Sequence, residues 1–171
     1  MIHIYIGEGK GKTTCAYGLC LRARGWNKKV CIIQFLKSRD FVCGEVIAAR
    51  RLGISIVCFN QKHPLFCSGI KDLKLKERIL KGLKKVQGIL KSKKYDVVVL
   101  DEIINALDQG YIKEAEIISL IKQTPLKTEL ILTGRGKLSK ELISCADYIT
   151  EMRLIKHPFR NKILARKGIE F

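Results

Sequence analysis

Ile2-His3-Ile4-Tyr5-Ile6-Gly7-Glu8-Gly9-Lys10-Gly11-Lys12-Thr13-Thr14 is the stretch whose reading decides the fold. Ile2, Ile4 and Ile6 alternate with His3 and Tyr5, the two-residue period of a strand. Glycines at 7, 9 and 11 end that period, and a helical pattern begins at Lys12. A strand, a glycine-rich turn and a helix opening on Lys-Thr form the setting of a phosphate loop. The glycines let the backbone turn tightly and present its N–H groups to an anion. The helix start adds its positive dipole end. Gly7, Glu8, Gly9, Lys10, Gly11, Lys12, Thr13 and Thr14 are therefore expected to bind a nucleotide. Lys12 would meet phosphate oxygens, and the Thr13 hydroxyl would hold Mg²⁺. The loop is shorter than the common G-x-x-x-x-G-K-[ST] form: Ile6 stands in place of the first glycine, and Gly7 supplies the turn one residue later.

Outward from the loop, short β-branched runs alternate with longer helical patterns, which predicts a mostly parallel wound α/β sheet with helices on both faces. Strands are expected over 2–6, 30–36, 54–59, 97–100 and 129–133, with 147–152 as a sixth, edge strand. Helices are expected over 12–24 (closed by Gly25), 44–52, 111–122 and 140–145, and over the basic stretch 71–94. No repeat, low-complexity tract or linker interrupts the pattern, so residues 1–171 read as one phosphate-loop domain of five to six strands. The least regular stretch, 60–69, follows the third strand on the side where loops of open α/β sheets bind ligands.

Val97-Val98-Val99-Leu100-Asp101-Glu102 is the second informative segment. An almost wholly apolar strand belongs in the middle of a sheet, covered on both faces. Its closing acids arrive at the same sheet edge as the phosphate loop, where Asp101, Glu102 or both would hold Mg²⁺ directly or through water.

Composition narrows the class. Apolar residues make up 47% of the chain, enough for a core. No apolar run reaches the ~20 residues of a membrane span, and the start lacks the pattern of a secretory signal. Seven scattered cysteines without a C-x-x-C pair read as small buried hydrophobes in a reducing compartment. The expectation is a cytoplasmic protein. The formal charge of +17 is concentrated over 71–94, where ten lysines and arginines meet two acids. Leu73, Ile79, Leu80, Leu83, Val86 and Leu90 give that stretch an apolar helical face. No aromatic residue interleaves with the lysines and no nucleic-acid motif accompanies them, which argues against a nucleic-acid partner.

Several segments, taken in order, resemble the ATP:cob(I)alamin (corrinoid) adenosyltransferases, the phosphate-loop family of adenosylcobalamin biosynthesis. They are the shortened loop through Thr14, Gln34-Phe35-Leu36-Lys37, Gly44-Glu45, Leu100-Asp101-Glu102-Ile103 and Leu132-Thr133-Gly134-Arg135. Ala146-Asp147, Thr150-Glu151-Met152, Lys156-His157-Pro158 and the closing Ala165-Arg166-Lys167-Gly168-Ile169-Glu170-Phe171 complete the likeness. The resemblance implies transfer of the adenosyl group of ATP to a reduced corrinoid, with cobalt(I) as nucleophile and triphosphate as leaving group. Lys12 and Arg135 would then be the catalytic side chains, neutralising that leaving group. It also implies Mg²⁺, ATP and a corrinoid, an electron-donating reductase and a homodimer. Relatives carry an aromatic segment after the third strand, where this chain has Asn60-Gln61-Lys62-His63-Pro64-Leu65-Phe66-Cys67. Phe66 and His63 are the corrinoid-binding candidates there. Two other readings stay open on the sequence: an ATPase acting on nucleic acid, and a non-catalytic nucleotide-binding module.

Overall fold

The structure is a computed structural model that describes residues 1–38, 43–59 and 72–171. Its elements are β1 (Ile2–Ile6), α1 (Lys12–Gly25), β2 (Val30–Gln34), α2 (Gly44–Arg51), β3 (Ser55–Cys58) and α3 (Asp72–Lys91). There follow β4 (Val97–Asp101), α4 (Ile103–Asp108), α5 (Glu114–Lys122), β5 (Glu129–Gly134), α6 (Lys140–Ser144) and β6 (Tyr148–Glu151). The strands form one six-stranded sheet in the order β3-β2-β4-β5-β1-β6, every pair parallel. This is the wound α/β sheet the sequence predicts.

The two-residue period distributes the core. Ile2, Ile4 and Ile6 of β1, with Val98 and Leu100 of β4, pack with Leu75, Ile79, Leu83, Val86 and Leu90 of α3 and with α4, α5 and α6. Tyr5, Val97 and Val99 point the other way, to Ala16, Tyr17 and Cys20 of α1 and Ala49 of α2. β2 and β4 are buried at all five positions, as central strands must be. Each fully buried Val, Ile or Leu stabilises the fold by about 1.5–3 kcal/mol. β6 is the exposed edge. Among the described residues no helix is long and apolar enough to cross a membrane.

Some expected boundaries move. Gly25 remains in α1, and the left-handed residue that ends the helix is Asn27, with φ 59°. The second strand stops at Gln34 because Leu36 turns to φ 51°, which carries Lys37 back toward the sheet edge. Helix α4 has no counterpart in the sequence reading: six residues are too few for an apolar period to show. Tyr111 and Ile112 are buried but lie outside a helix, and α5 starts where the Glu116 carboxylate accepts the Lys113 N–H at 2.8 Å. On α3, Leu73 is exposed and Leu75 takes the core position.

Because every strand runs the same way, the ends of β1, β2, β4 and β5 converge on one edge. β5 lies between β1 and β4. The phosphate loop and the acids therefore stand two strand spacings apart, about 9–10 Å, with Thr133 and Gly134 between them.

Candidate functional site

The loop is shaped by what lies behind it. Gly7 has φ 112°, and a Cβ there would come 2.5 Å from the Met152 carbonyl oxygen. A Cβ on Gly9 would come 2.6 Å from the same oxygen, which accepts the Gly9 N–H at 2.6 Å. The chain leaving β6 thus backs the loop so closely that only glycine fits at both places. Lys12 is buried, and its ammonium donates to the carbonyls of Gly7 at 2.6 Å and Gly9 at 2.7 Å. Burial, and then the neighbouring Arg135, lower its proton affinity; Glu102, Glu8 and Asp101 oppose that shift.

Asp101 is fully buried at the end of β4. Its Oδ1 accepts the hydroxyls of Thr13 at 3.0 Å and Thr133 at 2.7 Å. Its Oδ2 takes the Lys37 ammonium at 2.6 Å. Thr133 also accepts the Glu102 N–H at 2.9 Å. Burial alone would discharge Lys37. The charge of Asp101 and its hydrogen bond, with Glu102 and Glu45, outweigh burial and raise its proton affinity. Glu102 differs from its neighbour. It sits at φ 65° ahead of α4, and its carboxylate accepts no hydrogen bond from the described residues. Burial, and then Asp101, push its pKa up, while Lys37, Lys12 and Arg135 pull it down.

These residues fit a divalent cation. The Thr13 proton is committed to Asp101, which leaves the Thr13 oxygen lone pairs free, and Glu102, next to Asp101 in the chain, interacts with the Lys12 charge. No group of three or more acids, histidines or cysteines gathers among the described residues. One or two protein oxygens completed by phosphates and water is the pattern typical of Mg²⁺.

Two further cations flank the loop on its solvent side. Arg135 pairs with Glu8 at 3.1 Å, and its backbone N–H donates to the Asn105 side-chain oxygen. Lys10 pairs with Glu170 at 3.1 Å, bringing the end of the chain against the loop. Glu170 is gripped by Arg166 at 3.0 Å and accepts the Arg166 backbone N–H at 2.8 Å. Those side-chain and backbone bonds from Arg166, assisted by Lys10, hold its pKa down to about 2.

A shortened phosphate loop wired to an acid-ended central strand is geometry that many nucleotide enzymes share; whole-chain likeness separates them. The model of the family described as ATP:corrinoid adenosyltransferase BtuR/CobO/CobP matches residues 1–171. The chain belongs to that family. The corrinoid adenosyltransferase of Sinorhizobium sp. is 33% identical over 181 residues, spanning 100% of this chain and 80% of the relative. That of Pseudomonas aeruginosa is 33% identical over 169 residues, spanning 98% and 82%. The Escherichia coli (strain K12) protein of the same name is 28% identical over 176 residues, spanning 100% and 85%. The protein is thus an enzyme of a family whose substrates are ATP and a corrinoid. Of the readings left open by the sequence, the match favours the transferase over an ATPase acting on nucleic acid.

Within the enzyme, the structure gathers Lys12, Thr13, Asp101 and Glu102 at one edge, with Glu8 and Arg135 paired just outside them. Thr14 lies in the first turn of α1 and is exposed. His63 and Phe66 lie outside the described residues. Lys37, Thr133, Asn105 and Glu170 were not among the expected site residues. Lys37 and Thr133 carried a signal, since each closes an apolar run at the ligand edge. Glu170 lies in the closing segment of the family likeness, but its contact with Lys10 crosses most of the chain and has no local signal.

Proposed function

We propose that the chain, acting as one phosphate-loop domain, transfers the 5′-deoxyadenosyl group of ATP to cob(I)alamin or a cob(I)yrinic acid derivative in adenosylcobalamin biosynthesis or salvage. The cobalt(I) electron pair forms the bond to C5′ while the C5′–O bond breaks. The departing oxygen keeps that bond's electrons and leaves as triphosphate. The observation that carries this reading is the tie between Thr13 and Asp101 across β5, set behind a shortened loop in a chain that matches the family throughout.

The reaction asks little acid–base chemistry of the protein. It asks for positioning and for neutralisation of a multiply charged leaving group. The loop N–H groups and the α1 N-terminus receive phosphate oxygens. Lys12 exchanges the Gly7 and Gly9 carbonyls for phosphate. Arg135 leaves Glu8 to clamp the triphosphate, and Lys10 adds charge from the solvent side. Mg²⁺, held by Thr13 and Glu102 with Asp101 fixing Thr13, would supply further neutralisation. Phe66 and His63 would meet the corrinoid. The same reading expects a reductase that delivers the electron to cobalt, a homodimer, and a cytoplasmic setting.

The test is incubation with ATP, Mg²⁺ and chemically reduced cobalamin, followed for light-sensitive adenosylcobalamin and for triphosphate. Both products are expected in equal amounts. Absence of product from a corrinoid verified as cobalt(I) would sink the reading. Phe66→Ala should spare ATP binding and impair corrinoid use; unchanged corrinoid kinetics would remove Phe66 from the site.

A further inference from the structure

Asp101 is shared by three partners, and only one of them is a charge. Thr13 and Thr133 both donate to Oδ1, at 3.0 and 2.7 Å, whereas Oδ2 is held by Lys37 alone among the described residues, at 2.6 Å. The carboxylate is fully buried and immediately precedes Glu102, so its charge must be compensated within the fold. Lys37 is itself fixed from several sides. Leu36 turns at φ 51°, the Phe35 N–H donates to the Asp101 carbonyl at 2.9 Å, and the Cys58 thiol donates to the Lys37 carbonyl at 3.3 Å. The ammonium therefore reaches Asp101 from a backbone tied to the same strand that it serves.

We propose that Lys37 is a positioning residue: its bond to Asp101 sets the carboxylate so that Thr13 is presented to a divalent cation, and cation-dependent nucleotide binding depends on it. Without Lys37, Oδ2 is an unpartnered buried oxygen. The Asp101 carboxylate then rotates away from the plane that serves Thr13, and its uncompensated charge presses on Glu102. The nucleotide-facing loop contacts of Lys12 do not involve Lys37 and are left in place. This rests on the reading of Thr13 and Glu102 as the cation-holding pair.

The experiment is calorimetric measurement of the ATP dissociation constant with Mg²⁺ and with EDTA, for the full chain and for Lys37→Met and Lys37→Arg, alongside kcat and KM for ATP. In the unmutated protein Mg²⁺ should tighten ATP binding. Lys37→Met should lose about 10–100-fold of that gain, the usual cost of removing a residue that orients a metal ligand. Its metal-free affinity should stay within about twofold, and Lys37→Arg should recover part of the gain. Lys37→Gln, which keeps a hydrogen-bond donor, takes the place of Lys37→Met if that variant does not fold. A folded Lys37→Met or Lys37→Gln that keeps the whole Mg²⁺ gain overturns the proposal. So does an equal loss with and without Mg²⁺, which marks a merely structural role. If Mg²⁺ does not tighten binding in the unmutated protein, the cation reading itself fails, whatever the variants do.

Discussion

The inner and outer sides of the phosphate loop are built from the same kinds of group and work differently. On the inner side Lys12 retains 8% of its exposure and Asp101 none, and both carboxylate oxygens of that aspartate are hydrogen-bonded. On the outer side Arg135 and Glu8 are 51% and 60% exposed, and Lys10 is 53% exposed. Breaking a buried pair costs about 3–5 kcal/mol, because the surviving charge is stranded. An exposed pair is worth about 0–1 kcal/mol. The buried network around Asp101 is therefore a frame that stays put. The outer cations are held just firmly enough to be ordered, and a polyanion can take them from their carboxylates at little cost.

That contrast can be broken at four places. Lys12→Ala removes the cation that faces the departing phosphates, so turnover should fall by at least about 10²–10³-fold in a stopped adenosylation assay. Retention of ordinary kcat would place the leaving group elsewhere. Asp101→Ala strands Lys37 and frees both threonines. Its thermal or urea unfolding should show a loss of about 3–5 kcal/mol along with activity. Arg135→Ala should separate the two properties: kcat falls about 10²-fold, while stability changes by less than about 1 kcal/mol. A large stability loss there would erase the distinction between the two sides.

The smallest effect belongs to Glu170→Gln, which loosens the clasp between Lys10 and Arg166. Glu170 titrates near 2 in the folded chain against 4.5 for an ordinary glutamate. The contribution to stability is thus present in full above about pH 4.5 and fades as pH falls through about 2. The melting-temperature difference between Glu170→Gln and the unmutated protein should be small and flat from neutral pH to about 4.5, then vanish in stronger acid. A difference that grows on acidification would contradict the assigned contacts.

How far the sequence reaches depends on the distance over which each feature is determined. The loop at 7–13 is a local pattern, and its strand–turn–helix setting is contiguous, so it is legible outright. Val97 to Leu100 reads as a central strand because four consecutive apolar side chains need two covered faces. Asp101 and Glu102 look equivalent in sequence. They differ in the fold because Thr133 of β5 and Lys37 of the turn after β2 occupy the first and leave the second open. Nothing local says that β5 intervenes between β1 and β4, so the part played by Thr133 is visible only in three dimensions. The exchange of Leu73 for Leu75 on α3 has a smaller cause. Both lie near the helical stripe, and the packing partner decides between them.

The place of β1 in the sheet has a consequence for how the protein is made. β1, the earliest of the six strands in the chain, pairs with β5 and β6, from Ile2 against Leu130 and His3 against Tyr148. By contrast β2 pairs with both β3 and β4, all three lying before residue 102. That part of the sheet can assemble while Ile2, Ile4 and Ile6 still wait for partners, and such late long-range pairing is slow and leaves apolar surface open meanwhile. The loop glycines gain the Met152 carbonyl, and Lys10 gains Glu170, more than 140 residues after the loop itself has been synthesised. A nascent or truncated chain ending before β6 carries the complete phosphate-loop motif and lacks the backing that shapes it. Nucleotide affinity is therefore expected to rise once β6 and Met152 are in place.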